Sequence, residues 1–185
     1  MSNSPVNPSA GSTAPIAPVV ISPVVVLDAS AAIAFTLPDE PLYAQAQALI
    51  ADLDAQGARL IAPPLFEAET DSVLRLRVAV KGTLTAAGEV LAQGVLDALP
   101  VQIIYDPATR GRARQLAAQL GRPRVYDATY AALADLHGIA DRHGTRLWTA
   151  DERFFNAVTS AGLVLVKFIG SYPVPGPSLA PPTAP

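Results

Sequence analysis

The chain has 185 residues, half of them hydrophobic and 16% charged, with a formal net charge of −3. The absence of cysteine excludes disulfides and thiolate metal sites, and so mild a charge argues against a surface that coats nucleic acid broadly, though it leaves a local basic patch open. No uninterrupted apolar run approaches the roughly 20 residues of a membrane helix, and the N-terminal stretch has no basic segment and is interrupted by Pro15, Pro18 and Pro23; we therefore expect no membrane span, no secretory signal and a cytoplasmic protein.

Residues 1–23 are rich in Ser, Pro, Ala and Asn and carry no charge, and residues 173–185 are Pro-rich. Proline removes backbone donors and blocks regular structure, so both ends read as flexible tails around one domain at residues 24–172. Val24-Val25-Val26-Leu27 reads as a short strand buried on both faces, and it stops at Asp28, the first charged side chain of the chain. Helical patterns are expected at 30–35 and at 41–53, the second closed by Gly57. Arg59-Leu60-Ile61-Ala62 is a second strand, cut off by Pro63-Pro64. A long helix at 65–80 ends before Gly82, and Thr83 is placed to cap the helix at 85–99, which has Glu89 near its start. Residues 101–105 are a third strand. Asp106-Pro107 opens a helix that runs to Leu120 and stops at Gly121, since Asp caps well and Pro suits the first helical position. A helix at 126–136, a strand at 146–149, a short helix at 154–160 and a last strand at 163–169 complete the pattern. Strands alternating with helices predict an α/β fold, an α/β/α sandwich around a central, mainly parallel sheet.

A buried strand ending in a carboxylate is how open parallel sheets build sites, because ligands bind outside the carboxyl ends of the strands. Asp28 fits that reading and fits equally the role of N-cap for the next helix. Asp151 follows the fourth strand, Asp127 starts the helix after the loop 121–126, and Glu69 lies inside the helix at 65–80. Asp127 and Asp151 also read as caps, and Glu69, like Glu67, as a solvated helix residue. Taken together, converging carboxylates repel one another and are costly to bury, and a hard divalent cation, Mg²⁺ or Mn²⁺, relieves this.

Four segments carry a family resemblance: Val-Val-Val-Leu-Asp28-Ala-Ser30-Ala, Pro64-Leu-Phe-Glu-Ala-Glu69-Thr-Asp-Ser-Val-Leu-Arg75, Val125-Tyr-Asp127-Ala-Thr-Tyr-Ala-Ala-Leu-Ala134 and Leu147-Trp-Thr149-Ala-Asp151-Glu-Arg-Phe154. In this order, and in these strand and helix contexts, the chain resembles PIN-domain proteins of the VapC type, the toxins of toxin–antitoxin pairs. The resemblance implies a metal-dependent endoribonuclease using Mg²⁺, with Mn²⁺ as substitute. Asp28, Glu69, Asp127 and Asp151 would be catalytic and hold metal. Glu69 is preferred to Glu67 because it stands shortly before Leu74-Arg75. Ser30 and Thr149 match small hydroxyl residues that support the acids. The resemblance further implies a homodimer and a cognate antitoxin whose peptide lies in a hydrophobic groove beside the acids and inserts an Arg toward them.

The residues between Ala134 and Leu147 make a longer connection than the family pattern, read as a helix extension or a loop beside the site. His137 and His143 flank it and read as surface histidines. Lys81, Arg75 and Arg77 form one basic group, and Arg110, Arg112, Arg114, Arg122 and Arg124 another. Solvated helix faces explain them; RNA-phosphate contact is the functional reading, strongest for Arg122 and Arg124 beside Asp127. Trp148 reads as core. Two rivals remain: a non-catalytic PIN module acting as a binding partner, and a phosphatase or receiver-like domain. An Asp-x-Asp phosphatase needs an acid where this chain has Ser30.

Overall fold

The computed structural model of the chain describes residues 22–174. The tails expected at 1–23 and 173–185 lie outside it, apart from two residues at each end. Five strands form one sheet: β1 (Val24–Leu27), β2 (Arg59–Ala62), β3 (Val101–Ile103), β4 (Leu147–Thr149) and β5 (Val166–Phe168). Their order is β3-β2-β1-β4-β5, and every pairing within it is parallel. The expected "mainly parallel" sheet is thus entirely parallel. Seven α-helices connect the strands: α1 (Ala29–Thr36), α2 (Tyr43–Ala55), α3 (Leu65–Leu76), α4 (Ala86–Ala98), α5 (Pro107–Gln119), α6 (Tyr126–His137) and α7 (Glu152–Ser160).

Crossovers between parallel strands are right-handed. From β1 the chain steps outward to β2 and β3, then returns past β1 to β4 and β5. The reversal places α1–α4 on one face of the sheet and α5–α7 on the other, which makes the α/β/α sandwich. It also explains β1. A central strand covered on both faces has no solvent side, and all four of its residues are buried, Val25, Val26 and Leu27 completely. Each such side chain contributes about 1.5–3 kcal/mol of burial.

Local signals set most boundaries. Asp106 caps α5 by accepting from Ala108 N at 2.9 Å with Pro107 in the first turn, as expected, whereas α4 is capped not by Thr83 but by Thr85, which accepts from the Gly88 amide at 3.0 Å because the helix begins only at Ala86. Three other expectations shift. The long helix at 65–80 is α-helical only to Leu76 and continues as a π-helical turn, Arg77–Lys81, closed by Gly82 at φ 63°. The strand expected to reach Tyr105 ends at Ile103, and Tyr105 stands exposed; the strand expected from 163 begins at Val166, and Val164 is exposed. An apolar run outlasts its strand where no neighbouring strand continues to pair with it.

The longer connection after α6 is neither a substantial helix extension nor a loop at the acids. It lies at the opposite, amino end of the sheet, where Ile139 exchanges two backbone hydrogen bonds with Val24. Asp141 organises it. One carboxylate oxygen accepts from the His143 and Thr145 amides, the other from Trp148 Nε1 at 2.9 Å. Trp148 is core, as expected. No helix among the described residues is long and apolar enough to cross a membrane.

Candidate active site

Between β1 and β4 the strand order reverses, and at such a switch point the diverging loops leave a crevice beyond the carboxyl ends of the strands. Asp28 stands there. It occupies the N-cap position of α1, yet its side chain makes no capping hydrogen bond. Instead Oδ2 accepts from Ser30 Oγ and from Thr149 Oγ1, both at 2.6 Å. Backbone amides fix which way those protons point: Ala150 N donates to Ser30 Oγ at 2.9 Å and Asp151 N to Thr149 Oγ1 at 3.0 Å. Each hydroxyl thus has an acceptor role already filled, and its proton goes to Asp28. The cap reading of Asp28 fails on this geometry.

Glu69 enters from α3, on the far side of β1, and its Oε2 accepts from Tyr130 Oη at 2.5 Å. Tyr130 sits one helical turn beyond Asp127 on α6, so a single helix delivers one acid and the donor that holds another. Only 1% of Tyr130 is exposed. Sequence reading gave Tyr130 no role at the acids. The i, i+3 spacing from Asp127 was the available signal. Asp127 lies in the first turn of α6, but the cap position belongs to Val125, so Asp127 is not a cap. Asp151 is one: its Oδ1 accepts from the Arg153 and Phe154 amides at 2.8 and 3.0 Å. Glu67 is exposed and turned to another cleft, with Asp71 and Asp97.

The carboxylates feel one another. Burial pushes Asp28 above the ordinary carboxylate range; the Ser30 and Thr149 hydrogen bonds oppose the shift, and the charges of Asp127 and Asp151 add to it. Glu69 is raised by burial and by Asp28 and Asp127, against the Tyr130 hydrogen bond. Asp127 is raised by burial and by Asp151, against the nearby Arg122. Among the described residues no three His, Asp or Glu side chains stand close enough to hold an ion as they are. The donor chemistry nonetheless fits a hard cation. The acids present only oxygen, and Asp28, Glu69 and Asp151 each have one oxygen held by the protein and the other without a hydrogen-bond donor from it.

The basic residues divide. Arg75 pairs with Glu89, Arg77 with Asp39 and Glu40, and Arg112 with Asp135. Those cations are occupied in the fold. Arg122 and Arg124 border Asp127 across a cleft of about 230 Å³ lined also by Pro123 and Tyr126. The two histidines serve structure: His137 meets Asp106 at 2.7 Å, and His143 meets Asp52 at 3.0 Å, remote from the acids in the chain's topology.

No curated protein matches the sequence significantly. The fold is similar to the crystal structure of Mycobacterium tuberculosis VapC20, described as a sarcin-ricin loop cleaving toxin, with a TM-score of 0.53 and 18% identity over 77% of this chain and 98% of that one. The family model for the PIN domain matches residues 25–159, from the first buried strand through nearly all of α7. The four sequence segments, the parallel sheet with its switch point and this match agree: the chain belongs to the PIN-domain family.

Proposed function

We propose that the protein is a divalent-metal-dependent endoribonuclease, the toxin of a toxin–antitoxin pair, with its domain at residues 24–172 and its active site at Asp28, Glu69, Asp127 and Asp151. The observation that carries this reading is Asp28: a carboxylate 9% exposed, at the switch point, its pKa raised by burial and further by neighbouring acids, and held by two hydroxyls rather than by a cation. Among the described residues, no Arg or Lys forms an ion pair with any of these four acids. Stored repulsion of this kind marks functional sites more often than structural ones.

Mg²⁺ or Mn²⁺, when bound, would offset that repulsion and supply the Lewis acidity that phosphodiester hydrolysis needs. The protein's own part is positioning. Ser30 and Thr149 fix the rotamer of Asp28 and leave its Oδ1 facing away from both hydroxyls. Tyr130 does the same for Glu69. Arg122 and Arg124 offer phosphate contacts at the mouth. RNA as substrate, a cognate antitoxin and a homodimer come from the family resemblance, and for RNA also from the sarcin-ricin loop cleaving activity named for the structural neighbour; the cytoplasmic setting comes from the reading of the N-terminal stretch.

The test is RNA cleavage by the full chain with Mn²⁺ or with EDTA, beside Asp28→Asn. Cleavage that needs the metal and is lost in the variant is the expected result; equal cleavage by the two proteins sinks the assignment. A non-catalytic PIN module is the second reading; among the described residues no three ligating side chains already stand within reach of one ion. Titration calorimetry with Mn²⁺ separates the two, since a binding module of that kind takes up no metal.

A further inference from the structure

We infer that Arg124 and Tyr126 form a subsite for one unpaired ribonucleotide next to Asp127, the base stacked on the Tyr126 ring and the phosphate held by Arg124. The inference rests on the ribonuclease reading of the acids and names which part of an RNA reaches them.

The loop is built for presentation. Gly121, at φ 60°, ends α5 and turns the chain outward, a conformation a side chain would strain. Arg122 then closes the loop onto the start of α7, its Nη2 donating to the Arg153 carbonyl at 3.1 Å. Tyr126 opens α6, immediately before Asp127. It is 55% exposed, whereas Tyr130, one turn along the same helix, is buried. Singly exposed aromatics are common on protein surfaces and by themselves mean nothing. The surroundings of this one are specific. Its ring borders the cleft of about 230 Å³ shared with Arg122, Pro123, Arg124 and Asp127. That volume lies below the 300 Å³ or so at which drug-sized ligands begin to fit, and suits a fragment such as one base.

The cations narrow the choice. Arg122 is engaged by the Arg153 carbonyl, and its charge acts on Asp127. Arg124 is exposed and makes no ion pair among the described residues, unlike Arg75, Arg77, Arg112 and Arg142. A planar fork with no carboxylate partner, next to an open aromatic face and a repelling cluster of acids, matches a nucleotide in two parts: an anion for the guanidinium and a π-face for the ring. The base must be unpaired, because a duplex hides its base faces in the stack.

The experiment is fluorescence anisotropy of a labelled single-stranded RNA of roughly ten nucleotides, a length in the range such sites span, with the full chain in EDTA so that no cleavage intervenes. Tyr126→Ala is expected to weaken binding about 10-fold, and Tyr126→Phe and Tyr126→Trp to keep it, since stacking needs only the ring. Arg124→Ala is expected to weaken binding and lower the slope of log affinity against log salt by about 1. A blunt RNA duplex of the same length should bind the wild type and Tyr126→Ala alike. Unchanged single-strand binding by Tyr126→Ala overturns the inference, as does an equal loss for strand and duplex, or a loss in Tyr126→Trp as large as in Tyr126→Ala. The two readings fail separately. A wild type that cleaves RNA while Tyr126→Ala binds normally removes only the subsite. A wild type that binds as expected but never cleaves with Mn²⁺ removes only the ribonuclease. No RNA binding at all removes both.

Discussion

Two groups of acids, set in different parts of the same sandwich, are treated in opposite ways. Under the connection before β4, Asp52 accepts from Tyr172 Oη at 2.6 Å, His143 Nε2 at 3.0 Å and Gln56 Nε2 at 3.1 Å, and pairs with Arg142. Burial alone would raise its pKa, but the Tyr172 and His143 hydrogen bonds and the Arg142 charge outweigh it and leave Asp52 below the ordinary range. Burial, and after it the contact with Asp52, pushes the Tyr172 hydroxyl up to about 12. Rings of His143, Trp148 and Tyr172 meet edge to face around it, 5.5–6.1 Å apart. At the switch point Asp28, Glu69 and Asp127 move the other way: burial and mutual repulsion raise all three. A carboxylate surrounded by donors stabilises the fold. A carboxylate surrounded by other carboxylates costs stability, and such a cost persists where it serves a function.

This contrast is breakable by experiment, and the largest effect is expected from exchanging the charge at one acid in each place. Asp28→Asn should lower RNA cleavage by at least about 100-fold, since even groups that merely orient a metal ligand are worth 10–100-fold, while its metal-free thermal stability stays level or rises. Asp52→Asn should do the reverse. Losing a carboxylate that accepts several hydrogen bonds costs about 2–3 kcal/mol, read as a fall in Tm of roughly 5–10 °C, with specific activity unchanged at a temperature where the variant is folded. A Tm drop shared by both variants would erase the distinction between the two places.

The pH dependence follows with opposite signs. Asp28, Glu69 and Asp127 have folded pKa values above the ordinary 3.8 for Asp and 4.5 for Glu. Their contribution to stability is therefore present below those values and is lost as pH rises through the higher folded ones. Asp52, lowered from 3.8, contributes above that value and loses its contribution as pH falls through its folded pKa. Metal-free wild type should thus lose Tm on going from about pH 4.5 to neutrality, less so in Asp127→Asn, and the affinity for Mn²⁺ by calorimetry should rise over the same interval because metal and protons compete for the same oxygens. Mn²⁺ binding that is flat with pH would contradict the assignment.

A smaller effect sharpens the role of Tyr130. Tyr130→Phe removes only the hydroxyl that holds Glu69 Oε2. Affinity for Mn²⁺ should fall about 10-fold, with cleavage restored at high metal concentration; a fall in Tm with unaltered metal affinity would make Tyr130 a core residue only. The smallest change is expected at Arg75→Ala. Its pair with Glu89 leaves the Arg side chain 62% exposed, so stability should move by no more than about 1 kcal/mol and cleavage not at all.

Much of this was legible in the chain. The β-branched run Val24–Leu27, the Pro63-Pro64 stop, the capping residue Asp106 and the alternation of strand and helix are local signals, and local backbone sterics and hydrogen bonding are enough to realise them; the cap of α4, expected at Thr83, falls two residues later on Thr85. The four candidate acids were picked out as well, because each sits at a recognisable place along its element. Less legible was which of them would act as a cap. Asp28, Asp127 and Asp151 all precede or begin helices, yet only Asp151 caps one. Asp28 is drawn elsewhere by a partner distant in sequence, Thr149, 121 residues away, and Asp127 lies past the cap position, which Val125 occupies; Glu69 is likewise held from a distance, by Tyr130 61 residues away.

The amino-acid sequence by itself determined the α/β class, the buried central strand, the element order and the identity of the acids. These follow from periodicity, turn chemistry and the burial preference of apolar side chains, which act over a few residues. Tertiary structure alone decided that β1 and β4 lie side by side, that the long connection after α6 goes to the amino end of the sheet, and that the hydroxyl protons of Ser30, Thr149 and Tyr130 point at the acids. Those outcomes depend on the reversal of strand order and on hydrogen bonds between residues that no local pattern links. The carboxylates left to repel one another gather at the carboxyl end of the sheet, and Asp52 is held by the connection at its amino end.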